Sequence, residues 1–188
     1  EIAQCLVGSE MCIETAFIEQ YTGEASEPGD FVDKEGKVLG RHKGQIHYTI
    51  GQRRGLGIAA PESLYVCGKS LDTNKVILGG KDDLMSNYCY INDINLIPWD
   101  HLDKPIQCKV KTRYRQPEQP ATVEQLGEDL IRITFQEPQR AVTPGQAAVL
   151  YDGDMVLGGG TILSEEAAQT LCKINENNLY ISFYIYRK

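Results

Sequence analysis

The sequence lacks long apolar runs. No segment approaches the length that spans a bilayer, and the start shows no positively charged stretch followed by an apolar core and a cleavage site. We therefore expect a cytoplasmic protein with no membrane partner. With 41% hydrophobic and 24% charged residues, the 188-residue chain has the composition of a globular protein and the length of one domain or two small ones.

Paired cysteines and a nucleotide-binding loop are also lacking. The six cysteines are scattered, with no Cys-x-x-Cys pair and no histidine at ligand spacing, so no metal site is predicted. In a reducing cytosol most of them are expected to be small buried residues on strands, as for Cys67 and Cys108. The pattern Gly-x-x-x-x-Gly-Lys-Ser/Thr, whose backbone N–H groups cradle phosphates, does not occur.

Positive charge is scarce overall but concentrated locally. The formal net charge is −7, and Glu1–Glu35 holds nine acidic residues against the single Lys34. In contrast, two strips contain basic residues and no acidic ones: Arg41–Arg54 with four and Lys104–Arg115 with five. Because Lys and Arg bind a polyanion by replacing its counterions, and because a ligand meets the local field, this segregation favours RNA binding despite the net charge.

Short apolar runs separated by Gly, Pro, Asp and Asn predict a chain made mainly of β-strands. A first group of strands is predicted at Phe31–Val32, Val38–Leu39, Ile46–Ile50, Leu64–Val66 and Val76–Leu78. A second group follows a polar joint, at Tyr90–Ile97, Ile106–Tyr114, Ala121–Gln125, Leu130–Phe135, Ala147–Leu150 and Met155–Leu157. The spacing and tight turns of the second group indicate a closed or nearly closed barrel.

These patterns divide the chain into four parts. Capping signals predict a short helix over Glu10–Tyr21, and a second capped helix over Ser164–Lys173. The predicted organisation is a linker with a short helix over 1–26, a small central β domain over 27–80, a β-barrel over 87–163 and a tail of unknown role over 164–188.

The predicted strand over Ile106–Tyr114 has one apolar and one cationic face. Its apolar positions alternate with Gln107, Lys109, Lys111 and Arg113. Arg offers a planar fork that matches phosphate, and Tyr114 at the strand end offers a ring on which an unpaired base can stack. The alternative is a solvent-facing charged strand without a ligand.

Several segments resemble one known family. Gly29–Ile58, GDFVDKEGKVLGRHKGQIHYTIGQRRGLGI, is similar to the central-domain signature of the bacterial tRNA-specific 2-thiouridylases. The similarity continues, in the family's order, through Leu64–Val66, Asn74–Gly79, Lys111–Gln116 and Pro144–Ile162. It covers roughly Phe17 to Ile162, and corresponds to the central and C-terminal parts of that family.

The resemblance implies a fold and a set of RNA contacts. The second domain is expected to be a six-stranded barrel like the second domain of the elongation factor that carries aminoacyl-tRNA. Arg113, Tyr114 and Gln146 match positions that the family uses to contact tRNA. With the basic residues around them and in the central domain, the predicted tRNA-binding set is Arg113, Tyr114, Gln146, Arg53, Arg54, Lys111 and Arg115.

The resemblance also implies sulfur transfer to tRNA. In the family, ATP activates C2 of the wobble uridine, and a cysteine that carries a persulfide from a sulfur-donor protein delivers sulfur to it. Cys5, in a Cys-apolar-apolar context, is the candidate persulfide cysteine, although it lies twelve residues ahead of Phe17 where the family has about ten. The ATP-binding domain of the family has no counterpart in these 188 residues, so this chain alone is expected to bind tRNA without catalysing.

Two other functions remain open on the residues alone. One is a free-standing RNA-binding β-barrel module related to translation factors. The other is a thiol protein that relays sulfur through Cys5 or Cys12 without binding RNA.

Overall fold

The structure, a computed structural model, describes residues 27–70, 72–114 and 116–173. It confirms a chain built mainly from β-strands, which divides into two compact units, Glu1–Leu84 and Met85–Lys188. The helix predicted over Glu10–Tyr21 lies outside the described residues. Within the described ranges, no helix has the length and apolar character needed to cross a membrane.

The first unit is a small mixed sheet. Its strands are β1 (Gly29–Val32), β2 (Val38–His42), β3 (Tyr65–Ser70) and β4 (Lys75–Gly79), in the order β2-β1-β4-β3. β1 and β4 pair in parallel, and the other neighbours pair antiparallel. The strands and the segment between β2 and β3 together bury one apolar cluster, formed by Phe31, Tyr48, Leu56, Val66, Val76 and Leu78.

The strand predicted over Ile46–Ile50 is wrong. Gln45–His47 form a 3-10 turn, and the N–H of Tyr48 bonds back to the oxygen of Gln45 rather than to a neighbouring strand. The flanking Gly44 and Gly51 have φ of 131° and 87°, and the chain bonds to the sheet only after the turn, where the N–H of Gly51 donates to Val66 of β3 at 2.8 Å. The apolar alternation that predicted a strand instead places Tyr48 in the core, against Phe31.

The second unit is a closed six-stranded antiparallel barrel, as predicted. Its strands are β5 (Met85–Leu96), β6 (Ile106–Lys111), β7 (Gln119–Gly127), β8 (Leu130–Arg140), β9 (Ala147–Asp152) and β10 (Met155–Ile162). They close in the order β10-β5-β8-β7-β6-β9. The alternating apolar positions of these strands point inward, and Ile91, Val110, Val123, Ile131, Ile133 and Leu150 are among the fully buried side chains.

Glycines allow the last strand to close the barrel. A Cβ atom on Gly159 would collide with the backbone oxygen of Ala148 on β9, and one on Gly160 would collide with the backbone oxygen of Asn92 on β5. Any other residue at these two positions would push β10 away from both neighbours. The close approach therefore requires glycine.

A short helix, α1, follows the barrel over residues 165–173. The hydroxyl oxygen of Ser164 accepts a hydrogen bond from the N–H of Ala167 at 3.2 Å, which caps the first turn as the sequence predicted. Ala168 is fully buried, so the helix packs one face on the protein.

Candidate nucleic-acid interface

Two loops meet at one end of the barrel. One follows β6 and carries Arg113 and Tyr114, and the other joins β8 to β9 and carries Gln146. They lie side by side because β6 pairs with β9, with Lys111 opposite Val149. The structure thus brings Arg113, Tyr114 and Gln146 to the same end of the barrel, although Gln146 follows Arg113 by 33 positions in the sequence. We call this end, formed by residues 111–114, 116 and 139–147, the loop rim.

Arg113 differs from its predicted placement on the cationic face of β6. The strand ends at Lys111, so Arg113 lies in a bend beyond it and turns inward. Its Nη2 donates to the backbone oxygen of Ala141 at 2.5 Å and to the hydroxyl of Thr143 at 3.0 Å. Burial, together with the charge of Arg140, lowers the pKa of the guanidinium. The Nη2 group of this side chain is therefore engaged with the loop between β8 and β9.

Tyr114 and Gln146 are presented to solvent. Tyr114 is 96% exposed, so almost its whole ring faces solvent. Gln146 is exposed at the end of a turn in which its N–H bonds to the oxygen of Thr143. An exposed ring and an exposed amide at the rim offer stacking and hydrogen bonds to an unpaired nucleotide.

The cationic face of β6 has an acidic neighbour that the charge pattern did not reveal. The Nζ atoms of Lys109 and Lys111 lie 3.7 and 3.5 Å from the carboxylate of Glu118, in the loop before β7. Lys111 also lies over the ring of Tyr151, 5.2 Å from its centroid. The lysines remain accessible, but their charge is partly compensated.

A series of side-chain hydrogen bonds, mostly between glutamine amides, lies next to the loop rim and was not predicted from the sequence. The hydroxyl of Thr112 donates to Gln116, whose amide donates to Gln139 at 2.6 Å, and Gln139 reaches Gln119 at 3.4 Å. Gln139 is buried. The bonded residues lie on three separate segments of the chain, so no local sequence pattern indicates that they interact. Their hydrogen bonds fix the start of the loop that carries Tyr114.

Arg53 and Arg54 lie in the first unit, on an exposed Gly-rich loop. The neighbouring Gln52 has a structural role: its side chain accepts from the N–H of Thr49 and donates to the backbone oxygen of Arg54. Beside this loop, residues 53–64 line an open cleft of about 410 Å³. The two arginines are thus held on a braced loop and face solvent.

His42 has a structural role in the first unit. His42 is buried, its Nδ1 accepts from the N–H of Gly44 and its Nε2 donates to the oxygen of Asn74. Burial lowers its pKa, which keeps the ring neutral. Arg41, on the same strand, approaches Asp30 at 3.9 Å across β1, so the first basic strip is also partly paired.

Two further predicted site residues, Cys5 and Arg115, lie outside the described residues. Within the described ranges, no group of three or more His, Cys, Asp or Glu side chains is arranged to hold a metal ion. Cys89 and Cys108 are buried or half-buried in the barrel, and burial raises the pKa of their thiols to about 12 and about 11.

Both units match known protein families. Residues 15–80 match the family described as the tRNA methyl transferase PRC-barrel domain, and residues 86–162 match the aminomethyltransferase beta-barrel domain. The chain is 46% identical over 146 residues to the tRNA-specific 2-thiouridylase MnmA of Acetivibrio thermocellus, which covers 78% of this chain and 41% of the relative. It is 47% identical over 158 residues to the MnmA of Trichormus variabilis, which covers 84% of this chain and 44% of the relative.

The chain therefore spans less than half the length of the curated relatives that it matches. Its two matched segments follow one another without overlap, and within the described residues they cover the strands of the small sheet and nearly all of the closed barrel. The chain belongs to the tRNA-specific 2-thiouridylase family, of which it comprises the central and C-terminal domains.

Proposed function

We propose that this chain is the tRNA-binding portion of a tRNA-specific 2-thiouridylase, and that the loop rim is where the barrel contacts tRNA. The observation that carries the proposal is Tyr114, a ring almost fully exposed beside a cationic bend and an exposed amide. Base–aromatic stacking is worth about 1–3 kcal/mol per base, and nearby cations attract the phosphates on either side. The relatives' name, which specifies tRNA, supports the same ligand.

The central unit is proposed as a second contact. Arg53 and Arg54 are exposed on a loop whose conformation Gln52 fixes, so two guanidinium groups are presented with little freedom of the backbone. Such a pair suits the phosphates of a folded RNA arm. Lys111 and Arg115 would add charge at the barrel.

The complete protein is proposed to transfer a persulfide sulfur to C2 of the wobble uridine in the cytoplasm, after activation of that uridine by ATP. Cys5 remains the candidate for the persulfide cysteine, loaded by a sulfur-donor protein. The described residues do not fit ATP, because the Gly-rich loop over 51–57 does not lead into a helix whose N–H groups could hold phosphate. We therefore assign no step of the activation to this chain.

Titration of fluorescent tRNA with the 188-residue chain at low and moderate salt tests the binding role. We expect weak binding with a steep loss of affinity as salt rises, because phosphate counterions are replaced. The variant Tyr114→Ala should weaken it, whereas Trp99→Ala, an exposed aromatic residue beyond the other end of β5, should not. Absence of binding at low salt, or binding indifferent to salt, would refute the proposal.

A second measurement tests the division of labour. The chain incubated with tRNA, ATP and a persulfide donor should yield no 2-thiouridine above a control without protein. Mass spectrometry of the digested tRNA detects the thiolated nucleoside directly. Its appearance would place an active site within these 188 residues.

A further inference from the structure

The cleft of the first unit lies in the segment between β2 and β3, and is lined by residues 53, 55–58 and 60–64. Its volume of about 410 Å³ falls in the range of sites for small ligands, roughly 300–1,000 Å³. Leu56 belongs to the buried apolar cluster of this unit, and Ile58 and Leu64 pack against that cluster. These side chains fix the cleft on the core, although its mouth is open to solvent.

Glycine leaves part of the cleft wall without a side chain. Gly55 and Gly57 have φ of 77° and 67°, in the left-handed region that other residues rarely adopt. A Cβ atom built on Gly57 would meet no other atom within 4 Å, so close packing inside the protein does not require this glycine. Bare backbone that borders a cleft allows a flat ring to approach the chain closely.

Two side chains of opposite charge line the same cleft. Arg53 precedes Leu56 in the chain, Glu62 follows it, and both side chains are exposed. Among the residues that the structure describes, neither forms an ion pair with the other or with a third side chain. A guanidinium donates hydrogen bonds to phosphate, whereas a carboxylate only accepts them. A ligand that suits both therefore carries an anionic group and N–H donors.

Guanine nucleotides carry both kinds of group. The Watson–Crick edge of guanine presents two adjacent N–H donors, on N1 and on the N2 amino group, which match the two oxygens of one carboxylate. Uracil presents a single N–H donor between two carbonyl oxygens. Adenine and cytosine present an amino group beside an unprotonated ring nitrogen, which a carboxylate repels. Of the four bases of RNA, guanine is therefore the best match to Glu62.

We infer that this cleft binds a guanine nucleotide, with the carboxylate of Glu62 on the Watson–Crick edge, the guanidinium of Arg53 on the phosphate and the base beside Leu64. That the nucleotide is an unpaired residue of an RNA chain rests on the proposed tRNA binding. The site for the mononucleotide does not, so the two can be tested separately.

NMR titration of the isotope-labelled chain with guanosine, inosine and uridine monophosphates tests the cleft. Inosine monophosphate lacks only the N2 amino group of guanosine monophosphate, so it isolates one of the two hydrogen bonds to Glu62. We expect the guanine nucleotide to bind about fivefold more tightly than the inosine nucleotide, with shifts at the amides of Gly55, Gly57 and Ser63. Equal affinity for the three nucleotides, or shifts that spare these amides, would overturn the inference.

Substitution of Glu62 tests the recognition of the base. Glu62→Gln keeps the size of the side chain but replaces one accepting oxygen by an N–H donor. It should weaken binding of guanosine monophosphate about tenfold and largely remove the preference over inosine monophosphate. Glu35→Gln deletes the same charge from the exposed turn between β1 and β2, outside the cleft, and should change neither. Retention of the preference in Glu62→Gln would show that another group reads the base.

Substitution of Arg53 tests the contact with phosphate. Arg53→Gln should weaken binding of guanosine monophosphate several-fold and leave binding of guanosine, which has no phosphate, unchanged. Lys43→Gln removes a charge from the same basic strip outside the cleft, and should leave both affinities unchanged. An equal loss in Arg53→Gln and Lys43→Gln would mean that net charge, and not the cleft, holds the nucleotide.

Competition with tRNA identifies the source of the nucleotide. If the cleft takes an unpaired guanine of tRNA, saturating tRNA should displace guanosine monophosphate, and Glu62→Gln should weaken tRNA binding several-fold. Simultaneous binding of both would overturn the assignment to RNA. If the wild type binds guanosine monophosphate in the cleft but not tRNA, the proposed function alone is overturned. Binding of tRNA without any binding of the mononucleotide at the cleft overturns this inference alone.

Discussion

Glu118 lies within ion-pair distance of Lys111, with 3.5 Å between the carboxylate and Nζ, and it also approaches Lys109 at 3.7 Å. The strip over Lys104–Arg115, which carries no acidic residue in sequence, therefore has an acidic partner in space. Glu118 competes with any phosphate for these lysines. Ion pairs that stay in contact with solvent contribute little to stability, and these side chains are partly exposed, so the carboxylate can be removed at small cost.

We predict that Glu118→Gln tightens tRNA binding. Freeing two lysines and deleting one negative charge should gain about 0.5–1 kcal/mol, roughly a two- to fivefold lower Kd at low salt. The gain should shrink as salt rises. Glu124→Gln, which breaks a pair with Arg132 elsewhere on the barrel, is the control and should leave affinity unchanged. An equal gain in both variants would mean that only net charge matters.

Val110→Ala and Tyr114→Ala should have opposite effects. Val110 is 1% exposed in the barrel core, and its truncation should cost about 2 kcal/mol and lower the melting temperature by about 10 °C, with RNA affinity of the folded protein retained. Tyr114→Ala should change stability by less than about 0.5 kcal/mol and weaken binding by about 1–3 kcal/mol. Calorimetry and tRNA titration measure both. Early melting of Tyr114→Ala with normal binding would make Tyr114 structural.

The buried His42 should make the first unit sensitive to mild acid. Burial lowers the pKa of His42, whereas in the unfolded chain a histidine has a pKa of about 6.5. As the pH falls below about 6.5, the histidine is protonated more readily in the unfolded state than in the folded state. The free energy of unfolding therefore decreases as the pH decreases from 7 towards 5. Above pH 7 both states are neutral and this contribution is constant.

Hydrogen exchange of β1 amides between pH 7.5 and 5, corrected for the intrinsic pH dependence of exchange, measures this effect. The loss of protection should become smaller in His42→Gln and persist in His101→Gln, where the exposed ring lies in the other unit. If His42→Gln loses protection on acidification as steeply as the wild type, another group is responsible.

The barrel was predicted from the sequence because each of its strands alternates apolar residues, which face the core, with polar residues, which face outward. Val110, Val123 and Ile133 all occupy inward positions that alternation identifies. The same alternation over Ile46–Ile50 failed because the flanking glycines and the hydrogen bond from the side chain of Gln45 to the oxygen of Ser70, at 2.6 Å, hold a turn. The periodicity of apolar residues indicates which side chains are buried, but it does not indicate which partners the backbone N–H and C=O groups hydrogen-bond to.

The sequence proposed members of the candidate site, whose role in binding stays a prediction, but it did not predict their geometry. Family resemblance brought together Arg113 and Gln146, and the pairing of β6 with β9 explains why they lie at one rim. That Arg113 turns inward to the oxygen of Ala141, 28 positions away, depends on a left-handed backbone at an alanine. No local pattern signals such a conformation at a residue other than glycine or asparagine.

The barrel cysteines should be inert, which limits where sulfur can be carried. Burial raises the pKa of Cys89 to about 12 and that of Cys108 to about 11, so at pH 8 roughly one thiol in 10,000 and one in 1,000 is the reactive thiolate. Iodoacetamide at pH 8 should leave both unlabelled in the native protein and label both in guanidinium chloride, as mass spectrometry of the peptides will show. Cys172, half-buried on α1, is the internal comparison and should react faster in the native state. Labelling of Cys89 as fast as Cys172 would mean that the barrel opens readily.

If Cys89 and Cys108 stay unlabelled, neither can present a persulfide to a tRNA at the surface. The cysteine that carries the persulfide must then be sought elsewhere in the protein, with Cys5 as the first residue to substitute.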